Sequence, residues 1–348
     1  MKSAAHLPML PCPPEAIDDF LSEPGPEATA LLGRTAGPIL VLGAGGKMGL
    51  HLSLMLRKAL APLGRAGDVR AVSRFSTLRD REDFVRHGIT TLAADLCDDA
   101  ALAALPDAPT VFFLAGVKFG TAAAPELLRR VNVELPRRVG ERFRSARIVA
   151  FSTGCVYPFV APETGGATEA TPPAPVGDYA LSCLGREESF AEVARRHGTR
   201  VALIRLNYSV EFRYGILTDI ARRVFRGEPV DVTTGHVNAI WQRDALDHVI
   251  RTLDLAAAPA APVNVTGPGI LAVRHLAARF GELLGRPAVI TGTEAATAWL
   301  NDASALHRRL GAPPTSVEQM QRWIAAWLLA GGGDWGKPTG FERRDGNF

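Results

Sequence analysis

The stretch Gly43-Ala44-Gly45-Gly46-Lys47-Met48-Gly49 constrains this chain most, because it follows directly on the apolar run Ile39-Leu40-Val41-Leu42. A buried strand that ends in clustered glycines and opens a helix is how an α/β sheet makes a phosphate site. Glycine permits the tight turn and lets a ligand approach the backbone closely. The helix N-terminus behind it offers unpaired N–H groups and a partial positive charge to a diphosphate. A glycine turn also serves as a plain strand–helix connection, so the context decides. Here the strand before it and the amphipathic run Leu50, Leu52, Leu54, Met55 and Leu56 after it point to a dinucleotide site. Gly43, Gly46, Lys47, Met48 and Gly49 are its expected first contacts.

Apolar strand-like runs recur at 39–42, 69–73, 90–94, 110–115, 148–152 and 201–205, with helical stretches such as 50–60, 78–86 and 126–143 between them. That alternation predicts an α/β fold, a Rossmann-type doubly wound parallel sheet covered on both faces. After Arg205 the rhythm changes to helices at 216–226, 245–255, 273–284 and 317–329 mixed with short strands. The expected division is an N-terminal extension over 1–36, a cofactor-binding domain over 37–205, a smaller, mainly substrate-binding region over 206–330 and an irregular tail over 331–348. The proline-rich first 36 residues read as packed on the domain or partly mobile.

The net charge is only +3 over 348 residues, with no Lys/Arg block, which argues against a nucleic-acid partner. No apolar run approaches the roughly 18 residues of a membrane span, and the N-terminus lacks the apolar core of a signal peptide. The four cysteines, Cys12, Cys97, Cys155 and Cys183, show neither metal spacing nor a disulfide framework. The expectation is cytoplasmic residence and no metal. Cys155 and Cys183 are read as two buried thiols, with a redox pair as the alternative.

The spacing Gly43-x-x-Gly46-x-x-Gly49, together with Ser152-Thr153-Gly154-Cys155-Val156-Tyr157 and Gly177-Asp178-Tyr179-Ala180-Leu181-Ser182-Cys183, resembles the extended short-chain dehydrogenase/reductase family, which includes nucleotide-sugar epimerases and dehydratases. The resemblance covers roughly residues 38–330. It implies that Asp95, followed by Leu96, contacts the adenine. It also implies that Leu114, Ala115 and Gly116 pass under the cofactor with Lys118 against it, and that Asn132 braces the active-site strand. The second strand ends Val72-Ser73-Arg74, a hydroxyl and a guanidinium where an acid would reject a 2′-phosphate. With Lys47 this favours NADP over NAD.

The same resemblance casts Thr153 and Tyr179, which are 26 residues apart, as the hydroxyl and phenol that converge on one substrate oxygen while hydride moves to or from nicotinamide. A phenol has a pKa of about 10, and the family lowers it with a lysine one helical turn on. Cys183 stands at that position. Lys118 is the first candidate to supply the missing charge and Arg186 the second. The other readings are a specialised enzyme working with a high-pKa tyrosine, or a non-catalytic NADP-binding regulatory or interaction protein.

On the substrate side the candidates are Thr153, Tyr157, Asn207, Arg213, His236 and Asn238. Nucleotide-sugar enzymes of the family place a diphosphate-clamping arginine just before the strand that precedes Asp244. Here that position is Val237. The expected activity is therefore NAD(P)-dependent oxidation, reduction, epimerisation or dehydration at a secondary hydroxyl or ketone of a small sugar-like or polyol substrate, in a possible homodimer.

Overall fold

The computed structural model describes residues 8–76, 78–118, 125–337 and 339–346. Seven strands form one sheet: β1 (Ile39–Leu42), β2 (Val69–Ser73), β3 (Thr90–Ala93), β4 (Thr110–Phe113), β5 (Arg147–Thr153), β6 (Arg200–Leu206) and β7 (Ala261–Val265). Their order is β7-β6-β5-β4-β1-β2-β3, and every pairing is parallel. All four residues of β1 and of β4 are buried. Their side chains divide between two apolar layers. Ile39, Val41 and Phe112 pack into one with Phe151 and Ile204, while Leu40, Leu42, Val111 and Phe113 pack into the other with Ile148 and Leu203. This two-sided burial is why the strands read as unbroken apolar runs.

The strand order reverses between β1 and β4, so the connections leave these neighbours in opposite directions and open a crevice at their C-terminal ends. Helix α1 (Gly49–Leu60) lies on one side, and α2 (Asp178–His197) carries the Tyr179 motif. Gly177, at φ +84°, starts α2, and Gly198, at φ +70°, ends it after the basic turn Arg195-Arg196-His197. The expected single helix over 126–143 is divided instead into Pro125–Leu128, a π-helical turn Arg129–Glu134 and Leu135–Arg142. The wide turn carries Asn132.

Beyond β6 the chain builds a second apolar core around Phe212, Trp241, Phe280 and Trp327, with α3 (Ile216–Arg226) and the helices Val273–Leu284 and Val317–Leu329. The two cores are interleaved in sequence. Helix α4 (Gln242–Arg251) returns to the sheet layer through Ala245, Leu246, Val249 and Ile250, and β7 then extends the sheet beside β6. The N-terminal extension contributes to both cores: Ala28, Leu31 and Leu32 join the sheet layer, and Ile17 and Leu21 the second core. The C-terminal tail has no helix or strand among its described residues, yet Phe341 is only 2% exposed. Among the described residues no helix is long and apolar enough to cross a membrane.

Candidate active site

Sterics alone set the glycine turn. Gly43 has φ +82°, and a Cβ there would come within 2.4 Å of the Ala115 backbone nitrogen. A Cβ on Gly49 would lie 2.1 Å from the Ala44 carbonyl oxygen, and one on Gly45 would meet the Ser73 hydroxyl at 2.7 Å. These glycines let β1, β2, β4 and α1 approach one another. Gly46 differs. It is exposed, and the nearest atom to a Cβ there is the Gly43 oxygen at 3.7 Å. Its backbone is open to a ligand that a side chain would displace. Helix α1 has no side-chain cap and no acid in its first turn, so its N-terminal N–H groups suit an anion. The residues present fit a dinucleotide diphosphate.

Across the crevice the loop after β4 is tied to α2 by Asn132. Its Oδ1 accepts from Val117 N at 3.0 Å and from Arg186 at 2.8 Å. Its Nδ2 donates to Val117 O and to Ser182 Oγ, each at 2.9 Å. Arg186 also donates to Phe151 O on β5 at 2.8 Å, so one buried guanidinium links β5, α2 and the π-helical turn. A Cβ on Gly116 would strike that guanidinium at 2.5 Å. A second buried pair, Arg205 on β6 and Glu187 on α2, is joined at 2.6 Å, and Ser152 Oγ donates to Glu187 at 2.5 Å. The C-terminal end of β5 and the first half of α2 are thereby fixed together.

On this frame Tyr179, Cys183, Cys155 and Lys118 come together. Tyr179 packs with Val156, Tyr157, Ala167 and Cys183 and shares a hydrogen bond with the Cys183 side chain. The Lys118 ammonium lies 5.4 Å from the centre of the Tyr179 ring. Crowding by protein pushes the Tyr179 phenol well above its ordinary value, the two cysteines add to this, and Arg186 opposes it. Burial pulls the Lys118 ammonium down. Cys183 is fully buried, and burial raises its thiol. All four cysteines are free. Thr153, at the end of β5, is 9% exposed, and its hydroxyl accepts from Cys155 N at 3.2 Å.

The other expected cofactor residues separate into two groups. Arg74 and Asp95 are exposed and face one another at 4.0 Å. Asp95 also accepts from Cys97 N at 2.9 Å, Leu96 is buried, and Leu114 N donates to Leu42 O at 2.8 Å. Lys47 belongs elsewhere. Its ammonium sits 3.2 Å from the centre of the Tyr214 ring, in a loop after β6. Burial, then Lys118 and Lys337, pull it down to about 7. Met48 is the N-cap residue of α1.

The substrate-side candidates are largely engaged in the framework. Tyr157 is fully buried, its hydroxyl donates to Asn264 at 2.9 Å, and Arg205 lies over its ring. Asn207 and Asn238 both bond Asn301, which locks the loops after β6 and before α4 to residues 299–301. His236 pairs with Ala272 in a short antiparallel bridge. Arg213 donates to Glu211 at 3.1 Å and to Asp18 at 2.8 Å.

That last contact belongs to a cluster that sequence reasoning did not find. Asp18, from the N-terminal extension, also accepts from His51 on α1 at 2.8 Å and from Arg79 at 3.0 Å, and His51 meets Gln242 on α4. Burial opposes the Asp18 charge, but the His51 hydrogen bond and the two guanidiniums hold its carboxyl well below the usual range. Tyr208 was also missed. It adopts φ +43°, a strained region for a bulky residue, and Cys155 is among the groups that act on it. Among the described residues no group of His, Cys, Asp or Glu could hold a metal.

A doubly wound parallel sheet with a glycine turn at its switch point defines a dinucleotide-binding fold. Residues 39–265 match the family model for the NAD dependent epimerase/dehydratase family, and the chain belongs to that family. None of the curated proteins matches it significantly in sequence. Solved structures share its fold. DesIV, a dTDP-glucose 4,6-dehydratase from Streptomyces venezuelae solved with NAD bound, is 18% identical, with a TM-score of 0.71 over 84% of this chain and 97% of its own. UDP-glucose 4-epimerase from Thermus thermophilus in complex with NAD is also 18% identical, with a TM-score of 0.67 over 83% and 97%. A short-chain dehydrogenase/reductase superfamily protein from Agrobacterium tumefaciens with bound NAD is 20% identical, with a TM-score of 0.70 over 84% and 97%.

Proposed function

We propose that this enzyme reduces a ketone or aldehyde of a small sugar-like or polyol molecule, with Tyr179 as the proton donor. The observation that carries the reading is the grouping of Tyr179, Cys183 and Lys118 at the mouth of β4 and β5. A bound nicotinamide supplies hydride. The protein supplies the proton and the positioning. A phenol held protonated by burial and by a neighbouring thiol is a poor base but remains an acid toward an oxygen that is becoming an alkoxide. Thr153, at the strand end, offers a second hydroxyl to the same oxygen. Lys118 stands where its charge offsets the phenolate left after proton transfer.

Gly43, Gly46, Gly49 and the α1 N-terminus hold the diphosphate in this reading, and Leu114, Ala115 and Gly116 line the nicotinamide side. The preference for NADP rests on Ser73 and Arg74, since the end of β2 carries no acid and Arg74 is exposed. A substrate other than a nucleotide sugar is supported by Val237, which is fully buried where a diphosphate clamp would need a cation.

Steady-state kinetics in both directions test the proposal. Tyr179→Phe lowers kcat about 10²–10⁴-fold with cofactor affinity retained. Lys118→Met loses rate and moves the alkaline limb of the pH–rate profile upward, and Cys183→Lys in that background restores part of the rate. The reductive reaction, which needs the protonated phenol, holds its rate into the alkaline range, whereas the reverse oxidation, which needs the phenolate, rises with pH there. Full activity of Tyr179→Phe sinks the proposal.

A further inference from the structure

The C-terminal segment follows a path that its irregular backbone does not explain. Asp334 pairs with Arg222 on α3 at 2.5 Å. The Trp335 ring then packs against two guanidiniums, Arg79 and Arg213, each 4.6 Å from a ring centre and both bonded to Asp18, while its Nε1 donates to Glu211 at 2.8 Å. Thr339 donates twice to Asp219, from N at 2.7 Å and from Oγ1 at 2.6 Å. Phe341 enters the second core, Glu342 pairs with Arg223 at 2.7 Å, and Arg344 bonds Thr297. Gly346 finally packs on Val176 and Gly177, where a Cβ would come within 2.3 Å of the Val176 oxygen. The segment thus starts beside the glycine turn and ends against the first residue before the Tyr179 helix. Its anchors are mostly side-chain contacts, with no strand pairing to the body of the protein among its described residues, which is the character of a segment that opens locally at modest free energy.

Lys337 lies two residues beyond Trp335 and two before Thr339, so the anchors on both sides fix its neighbourhood. Trp335 N approaches Arg213 O at 3.5 Å, and the next residue, Tyr214, carries the Lys47 ammonium on its ring. Lys337 is itself exposed. It is also among the cations that depress Lys47. Lys337 and Lys118 repel the Lys47 ammonium, Asp219 and Glu211 offset part of this, and an anion beside Lys47 and Lys337 relieves the rest.

We propose that this segment is a strap over the dinucleotide crevice, and that Lys337 joins Lys47 in holding the cofactor diphosphate. The proposal rests on the dinucleotide reading of the glycine turn. When the strap is seated, Trp335 lies against Arg79 and Arg213 at one end and Gly346 against Val176 and Gly177 at the other. Cofactor entry and release then require Trp335 to leave its place against Arg79 and Arg213. The acceptor for Lys337 is the diphosphate of the dinucleotide itself, not a phosphate on the substrate.

Calorimetric titration and stopped-flow release of NADP and NAD, without substrate, test this on the full-length protein. Lys337→Met, an exposed position whose loss leaves the fold intact, weakens both dinucleotides by tenfold or more, because a charge-assisted contact to each is lost. Trp335→Ala speeds release by a similar factor. Lys337→Met that binds both dinucleotides as the wild type does overturns the strap's role even if Trp335→Ala does not fold, and so does unchanged release from a folded Trp335→Ala. A wild-type protein that binds neither dinucleotide removes the reading beneath the proposal, and the proposal falls with it.

Discussion

The two walls of the crevice are built on different terms. The glycine-turn wall is set by the backbone. Gly43 against Ala115 and Gly49 against Ala44 leave no room for a side chain, and the geometry follows from omitted Cβ atoms. The Tyr179 wall is set by side chains. Asn132, the neighbours Arg186 and Glu187, and Arg205, drawn from three separate parts of the sequence, hold β5 and α2 in register through buried, charge-assisted hydrogen bonds. Backbone sterics admit few substitutions and few variations. A side-chain network tolerates chemical change at one member if the rest stay satisfied. Cys183 lies on the wall that side chains build, and the glycine spacing on the wall that the backbone builds.

The largest expected effect tests the first wall against itself. Gly43→Val forces a β-branched residue to φ +82° and a Cβ into Ala115, which should remove about 4–5 kcal/mol or more of stability and erase the cooperative thermal transition. Gly46→Val, three residues on, places its Cβ no closer than 3.7 Å to any atom, an ordinary contact with the Gly43 oxygen. It should keep a near-native transition and lose dinucleotide binding. Equal melting of the two variants would show that the turn is not divided into structural and ligand-facing glycines.

A middle-sized effect concerns the far end of the crevice. Arg74→Asp should weaken NADP relative to NAD by at least about tenfold, since a 2′-phosphate loses a guanidinium and gains a like charge. A titration with both cofactors reads the ratio, and an unchanged ratio removes the NADP preference.

The smallest effect links the walls. Lys47 is pulled down to about 7 by burial and by Lys118 and Lys337, so it carries its charge below that pH and loses it above. An anion binds better to the charged form. Dinucleotide affinity should therefore fall several-fold between about pH 7 and 9, and in Lys47→Met the same interval should be flat. A wild-type affinity independent of pH across that interval would place Lys47 outside the diphosphate site.

Much of the fold was legible because parallel strands covered on both faces write themselves as apolar runs, and β1, β2, β4, β5 and β6 lie where those runs fall. The break of the 126–143 helix was not legible, since Val131-Asn132-Val133 reads equally as α-helix or π-helical turn until Asn132 finds Val117 and Ser182. The candidate site divides the same way. Glycine spacing and the interval from Thr153 to Tyr179 are local patterns tied to a strand end and a helix start. The partners of Arg213, Asp18, His51 and Trp335 are not local. They come from the extension, α1, the loop after β6 and the tail.

By itself, then, the sequence determined the parallel sheet, the glycine turn at its edge and the residue type at each motif position, because these depend on burial periodicity and on the conformations a single residue can adopt. Only the tertiary structure decided that Lys47 points to Tyr214, that Tyr157 is a core residue, and that Phe341 of the tail joins the second core. The reason is physical. A side chain's partner is set by whatever the folded chain brings within a few ångströms, and that juxtaposition spans as many as 195 residues between Asp18 and Arg213, a distance over which no local pattern carries information.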